Sequence, residues 1–412
     1  MYKLIAAIII SLYFIFQLFL AILQYRNRNA SIPKELEDVY DKETYIKWKK
    51  YSAEKIRLSI ISEILNYVID LVLLMTNLFS IIVNNFENDY VSSIIVLSIY
   101  LGINFIVIII MSYFADLKLE SKYGFNKMTL KTFILDQIKA GILMFVLFIG
   151  IVSLFILLHK TMGDYIIILF TAILFVLSLL IAFVFPYLSK IFNKFVPLED
   201  GELRDSLTKM LESHNYKVKD IKVMDASRRT TKSNAYFTGF GKTKIIVLYD
   251  NLLNKMSNEQ IIAIFAHEMG HGIHKDTLKN SLSSILIMFI FVLLAWLLIK
   301  IPNLCNDFGF NRFNYGFASI ILFVVLLPFV STIIGFITSY FSRRAEYRAD
   351  LAAVKEGYGE QLIEALKILY IDDLGDLNPH PLIVLLSYSH PTLLDRIKNI
   401  RNNKDWFYGR II

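Results

Sequence analysis

The chain has 412 residues, with 43 Lys and Arg against 36 Asp and Glu, for a formal net charge of +7. It is 56% hydrophobic and 19% charged, which excludes a disordered chain and an ordinary soluble domain, where charged residues supply about a quarter. Its single cysteine, Cys305, excludes a disulfide scaffold and a thiolate metal site. A polytopic membrane protein remains.

Seven stretches are apolar over the roughly 20 residues needed to cross a bilayer. They are Leu4–Leu23, Leu58–Val83, Ser92–Phe114, Ala140–Leu158, Tyr165–Tyr187, Ser281–Ile299 and Phe317–Phe341. The first reads as a span and not a signal peptide: only Lys3 precedes it, and no small-residue cleavage site follows. The loops between spans alternate in charge. Gln24–Arg57 holds nine Lys and Arg, Asn84–Val91 none, Ala115–Lys139 five, and His159–Asp164 only Lys160. Short basic loops stay cytosolic, so the amino terminus is expected outside and the carboxyl terminus inside. The positive charge is therefore a topology signal, and no basic module points to nucleic acid.

The chain divides accordingly into a five-span region (1–188), a cytosolic segment (189–280), spans six and seven (281–341) and a second cytosolic segment (342–412). In the first cytosolic segment, 193–201 reads as a juncture, Glu202–Ser213 as a helix and Lys219–Met224 as a strand. Asn234–Gly239 and Thr243–Tyr249, around Gly239, Gly241 and Lys242, give a hairpin signal. Ser257 caps a helix predicted to reach about Lys275.

That helix carries His267-Glu268-Met269-Gly270-His271. Histidines at i and i+4 share a helical face and can grip one zinc ion, while Glu268 reaches the attacking water. The preceding run Ile261–Ala266 is apolar, so the pair is buried and needs a metal or partners. His274, two turns from His267, sits about 10 Å along the axis, too far for easy tetrahedral closure. A third ligand must come from elsewhere. Glu346 and Asp350 lie at i and i+4 just past the last span: Glu346 as ligand with Asp350 on a histidine is chemically sensible, and a solvated helix end flanked by Arg343, Arg344 and Arg348 is equally compatible with the spacing. His380, His390 and Arg396 form a further cluster from which oxyanion stabilisers could come.

These residues together resemble the type I CaaX prenyl proteases, integral membrane zinc metalloproteases of the gluzincin type. Further matching stretches are Tyr123–Lys127, Asn193–Phe195, Pro197–Leu203, Ser233–Tyr236, Thr277–Asn280, Asn378–Pro381 and Ser389–Pro391 with Arg396 and Ile397. The resemblance implies a mostly all-α polytopic fold. Seven transmembrane helices would form a chambered barrel, closed on the cytosolic side by a zincin-like domain with a small β-hairpin. It implies one zinc ion per chain on His267, His271 and Glu346, with Glu268 as catalytic base and Asp350 behind the ligands. His390 and Arg396 would stabilise the tetrahedral intermediate, and Asn234 and Ala235 would pair with the substrate backbone on an edge strand. A chamber would also account for Glu63 and Asp70 in the second span, since intramembrane carboxylates normally face water or a partner.

The expected partners are a peptide or protein substrate, prenylated or not, cut near its carboxyl end, and membrane lipid. The expected location is an integral multi-pass position, in the inner membrane of a bacterium or the endoplasmic reticulum of a eukaryote. A broader quality-control protease of the heat-shock type is the alternative, and four spans would favour it. A transporter would need paired repeats with broken helices, which the sequence lacks. A zinc scaffold without catalysis would not require Glu268.

Overall fold

The computed structural model describes residues 1–238 and 245–408. Six helical runs among them are long and apolar enough to cross a membrane. Four of them lie in the first half of the chain and use α1 (Tyr2–Asn27), α2 (Lys42–Met75), α4 (Asp89–Ser112) with α5 (Glu120–Lys122), and α6 (Leu130–Met162) with α7 (Ile166–Leu188); the short α3 (Leu78–Val83) stands between the second and third runs. The fourth run, Leu130–Ile181, contains α6 and most of α7, with Gly163, a residue with φ of +58°, at the end of α6. That left-handed backbone suits glycine and reverses the chain.

The structure adds to the sequence reading in three places. The helix of the second span starts well before its apolar stretch: α2 begins at Lys42, capped by Asp41, whose carboxylate accepts from Thr44 N at 2.7 Å. Its charged first turns lie against the largest core cluster, where Trp48 and Tyr51 are buried, so hydropathy alone could not see them. The same predicted span also breaks at Thr76–Asn77 before α3. The juncture predicted at 193–201 contains a strand, so the hairpin is part of a larger sheet.

That sheet comprises β1 (Phe195–Pro197), β2 (Asp220–Met224), β3 (Ala235–Thr238) and β4 (Ile245–Tyr249), in the order β1-β2-β4-β3. β3 and β4 pair antiparallel with Ala235 opposite Leu248, as a hairpin requires. The turn with Gly239, Gly241 and Lys242 lies outside the described residues. β2 pairs parallel with β4, and three-residue β1 pairs antiparallel with β2. Pro197 is tolerated there because β1 is an edge. β3 is the other edge.

The remaining helices are α8 (Glu202–Ser213), α9 (Asp250–Lys255), α10 (Asn258–Ile273), α11 (Asp276–Lys300), α12 (Tyr315–Ile321), α13 (Leu327–Lys355), α14 (Gly359–Asp373), α15 (Pro381–Ser387) and α16 (Leu393–Tyr408). A π-helical stretch, Leu322–Leu326, joins α12 to α13, so one helical run carries the chain out of its last span.

Polar contacts sort the loops into two ends. The Met1 amino group meets Asp307 at 2.6 Å, Lys3 Nζ donates to Asn77 Oδ1 at 2.7 Å, and Arg312 meets Asp89 at 3.4 Å, gathering the amino terminus with charge-poor loops. At the opposite end, Asn27 Nδ2 donates to Asn378 O at 2.7 Å, Tyr40 OH to Gly375 O at 2.8 Å and Arg229 Nε to Asp136 at 3.1 Å. Basic loops and both soluble segments therefore share one end. The largest core cluster lies there and combines Leu36, Trp48 and Tyr51 with α8, α10, α14 and α16.

Candidate metal centre

The helix carrying the two motif histidines starts where predicted. Ser257 Oγ accepts from Gln260 N at 3.3 Å and Ser257 N donates to Gln260 Oε1 at 3.0 Å, a reciprocal cap that fixes the first turn. Apolar positions from Ile261 to Met269 are buried on almost every side, so α10 is a central strut. It crosses α13 at Gly270. A Cβ built there would lie 2.8 Å from Ala352 Cβ and 2.9 Å from Ala349 Cα. Only glycine permits that approach, and the approach carries Glu346 of α13 up to the histidines.

His267 Nε2 lies 3.4 Å from Glu346 Oε2, and His271 Nε2 lies 3.3 Å from Glu346 Oε1. Donor atoms of the three residues all fall within 4.8 Å of one another. The outer ring nitrogens face carboxylates: His267 Nδ1 is 2.9 Å from Asp350 Oδ1, and His271 Nδ1 is 3.1 Å from Asp276 Oδ2. Each carboxylate places the ring proton on Nδ1 and turns the Nε2 lone pair inward. Glu346 Oε2 is buried and accepts no hydrogen bond. Two lone pairs and a carboxylate thus converge with no donor between them, an arrangement that a metal cation completes. The donor set of two imidazoles and one carboxylate suits zinc.

Glu268 is half-buried beside this cluster. Burial raises its carboxyl above the usual range, against the opposing pull of His267 and His271. His390 Nε2 is 3.4 Å from Glu346 Oε1, and its side chain is 62% exposed, so it stands at the open side. Arg396 is buried on the other side. Its Nη2 and Nε donate to Asp350 at 2.5 and 3.0 Å, and its Nη1 is 3.6 Å from Glu346. The guanidinium therefore grips two carboxylates of the site. His380 is elsewhere: its Nδ1 accepts from Leu382 N at 3.1 Å and caps α15. His274 ends α10 and is not among the converging donors. Asn234 O accepts from Tyr249 N at 3.0 Å, and Ala235 opens the edge strand β3, which lies against α10.

Sequence reasoning missed two contributors. Gly270 was visible only as a spacer inside the motif. Asp276 had a readable signal: a metal-binding histidine normally donates its second nitrogen to a carboxylate, and Asp276 follows His271 by five residues. Arg348 Nη2 in turn donates to Asp276 Oδ1 at 3.0 Å. Asp276→Asn is expected to weaken zinc binding by about 10–100-fold, measured by competition with a chromogenic chelator.

Two family models cover nearly the whole chain. "CAAX prenyl protease N-terminal, five membrane helices" matches residues 21–194, and "Peptidase family M48" matches residues 197–404. CAAX prenyl protease 1 of Saccharomyces cerevisiae is 32% identical over 93% of this chain and 92% of its own length. The CAAX prenyl protease 1 homolog of Arabidopsis thaliana is 31% identical, with 90% of each chain covered. The crystal structure of S. mikatae Ste24p superposes with a TM-score of 0.91 at 31% identity, covering 97% of this chain and 99% of that one. The chain belongs to the CAAX prenyl protease 1 family, the multi-pass membrane zinc metallopeptidases of family M48.

Proposed function

We propose that this protein hydrolyses a peptide bond near the carboxyl end of prenylated CAAX proteins, with His267, His271 and Glu346 holding one zinc ion. The observation that carries the reading is the convergence of these donors beside Glu268, with an exposed histidine and an edge strand alongside. When bound, zinc supplies a Lewis acid that eases deprotonation of water and polarises the scissile carbonyl. Glu268 takes the proton of the attacking water and returns it to the leaving amine. The substrate backbone extends β3 at Asn234 and Ala235, which sets the carbonyl's direction. His390, on the open side, donates to the developing oxyanion. Arg396 acts through Asp350 and Glu346, whose charges it balances and whose positions it fixes.

In this reading the chain crosses seven times, with the amino terminus outside and this site on the cytosolic face. The charge-rich loops cluster at the site's end, and the run containing α6 and α7 supplies two crossings. Only 11% of the residues in the apolar windows of five of the six runs are buried. That low share fits helices ringed around a water-filled chamber, not a packed bundle. Asp70, accepting from Tyr100 OH at 3.2 Å, is a polar contact such a chamber wall would hold.

The test is cleavage of a farnesylated CAAX peptide by purified detergent-solubilised protein, with the unprenylated peptide in parallel. Release of the last three residues, faster with the farnesyl group, supports the reading. Equal rates on both peptides would support the broader quality-control activity instead.

A further inference from the structure

Beyond the metal centre, one face of α13 runs unbroken from apolar to cationic. Ile333, Ile337 and Phe341 are 63%, 49% and 63% exposed at successive turns, and Arg344 and Arg348 continue the same face. The apolar part spans about 12 Å of helix axis. The two arginines stand beyond it, at the cytosolic end, one turn apart. A concave pocket of about 400 Å³ opens there, lined by Phe341, Arg344, Tyr347, Arg348, Leu351 and, from the other side, Asn399 of α16.

The charges of this pocket are incompletely answered. Arg344 pairs with no carboxylate among the described residues; its Nη1 is 3.4 Å from Tyr340 OH and its guanidinium lies over the Tyr340 ring. Arg348 gives one nitrogen to Asp276, while its buried Nε has no partner. Lys279, 3.5 Å from Asp276, shares that carboxylate with Arg348. Burial and the nearby Arg348, Lys279 and Lys355 charges together hold His274 below its ordinary range, with Asp276 opposing. An arginine at a span end commonly snorkels to water. Here the second wall from α16 and the unpartnered Nε make a recess instead of an open helix end.

We propose that this recess binds the phosphate of an anionic glycerophospholipid of the cytosolic leaflet, with an acyl chain along Ile333, Ile337 and Phe341. Planar guanidiniums one turn apart suit phosphate oxygens, and the apolar stripe selects a lipid over free phosphate. Juxtamembrane cations of this kind read anionic headgroups. Arg348 links the recess to Asp276 and so to the support of His271. The assignment stands independently of which peptide the enzyme cuts.

The test uses delipidated full-length protein in detergent and native mass spectrometry. Phosphatidylglycerol, diacylglycerol and inorganic phosphate are added separately. Wild type is expected to retain one phosphatidylglycerol, and Arg344→Gln to bind it about tenfold more weakly, the loss of one charge-assisted contact. Peptide cleavage by Arg344→Gln in lipid-free detergent should match wild type, which shows that the variant folds. Arg344→Lys, which keeps the charge, should recover part of the binding. Equal retention by wild type and Arg344→Gln, or retention of diacylglycerol as strong as phosphatidylglycerol, overturns the proposal. Displacement of the lipid by millimolar inorganic phosphate would also overturn it, in favour of a free-phosphate site.

Discussion

Glu268→Gln is expected to stop peptide hydrolysis while leaving zinc at one per chain. The amide keeps the size of the side chain and its place on α10 but cannot take a proton. None of the three converging donors depends on it, since His267, His271 and Glu346 are oriented by Asp350, Asp276, Arg396 and the helix crossing. Loss of a positioned base costs about 10²–10⁴-fold in rate, so kcat should fall by at least that much with KM little changed. Zinc content by atomic absorption, measured on the same sample, separates lost chemistry from lost metal. Turnover within tenfold of wild type would remove Glu268 from the role of base.

Gly270→Val should have the second-largest effect, by a different route. The glycine touches no substrate; it sets how near α10 and α13 come. A valine must displace Ala352 Cβ and Ala349 Cα, and the second is backbone, so the helices themselves must part. Overpacking of this kind costs about 1–3 kcal/mol. The geometric damage is worse, because Glu346 rides on the displaced helix while both histidines stay on α10. Zinc content should drop well below one per chain, with activity lost in proportion. Ala352→Gly, introduced beside Gly270→Val, relieves the clash with Ala352 and should restore part of the metal. Full zinc content in Gly270→Val would show that the crossing has slack the structure does not display.

The legible parts of this fold were those with a strong local signal. Each span carries an apolar window that no soluble segment imitates, and the alternation of basic loops matches the two ends that the polar contacts define. The histidine pair announces itself because its spacing equals one helical turn. Elements defined by distant partners were not legible. β1 is three residues long and exists because β2 offers it an edge. The start of α2 is charged and polar, and its helical extension rests on Trp48 and Tyr51 packing into a core assembled from far later residues. Arg396 could be assigned to the site by resemblance, but only the structure shows its guanidinium held by Asp350 and Glu346. Asp276 and Gly270 belong to the same class: their importance lies in what they face.

The split of the metal centre between α10 and α13 has a consequence for biogenesis. His267 and His271 leave the ribosome before α11 and the run from α12 into α13, whereas Glu346 follows them. At about 5–20 residues per second, the nascent chain carries His267, His271 and Glu268 for several seconds with no third donor. The donor set closes only when the last span is inserted and α13 docks at Gly270. Hydrolytic competence is thereby tied to completed topology, so an unfinished chain at the translocon holds no assembled protease.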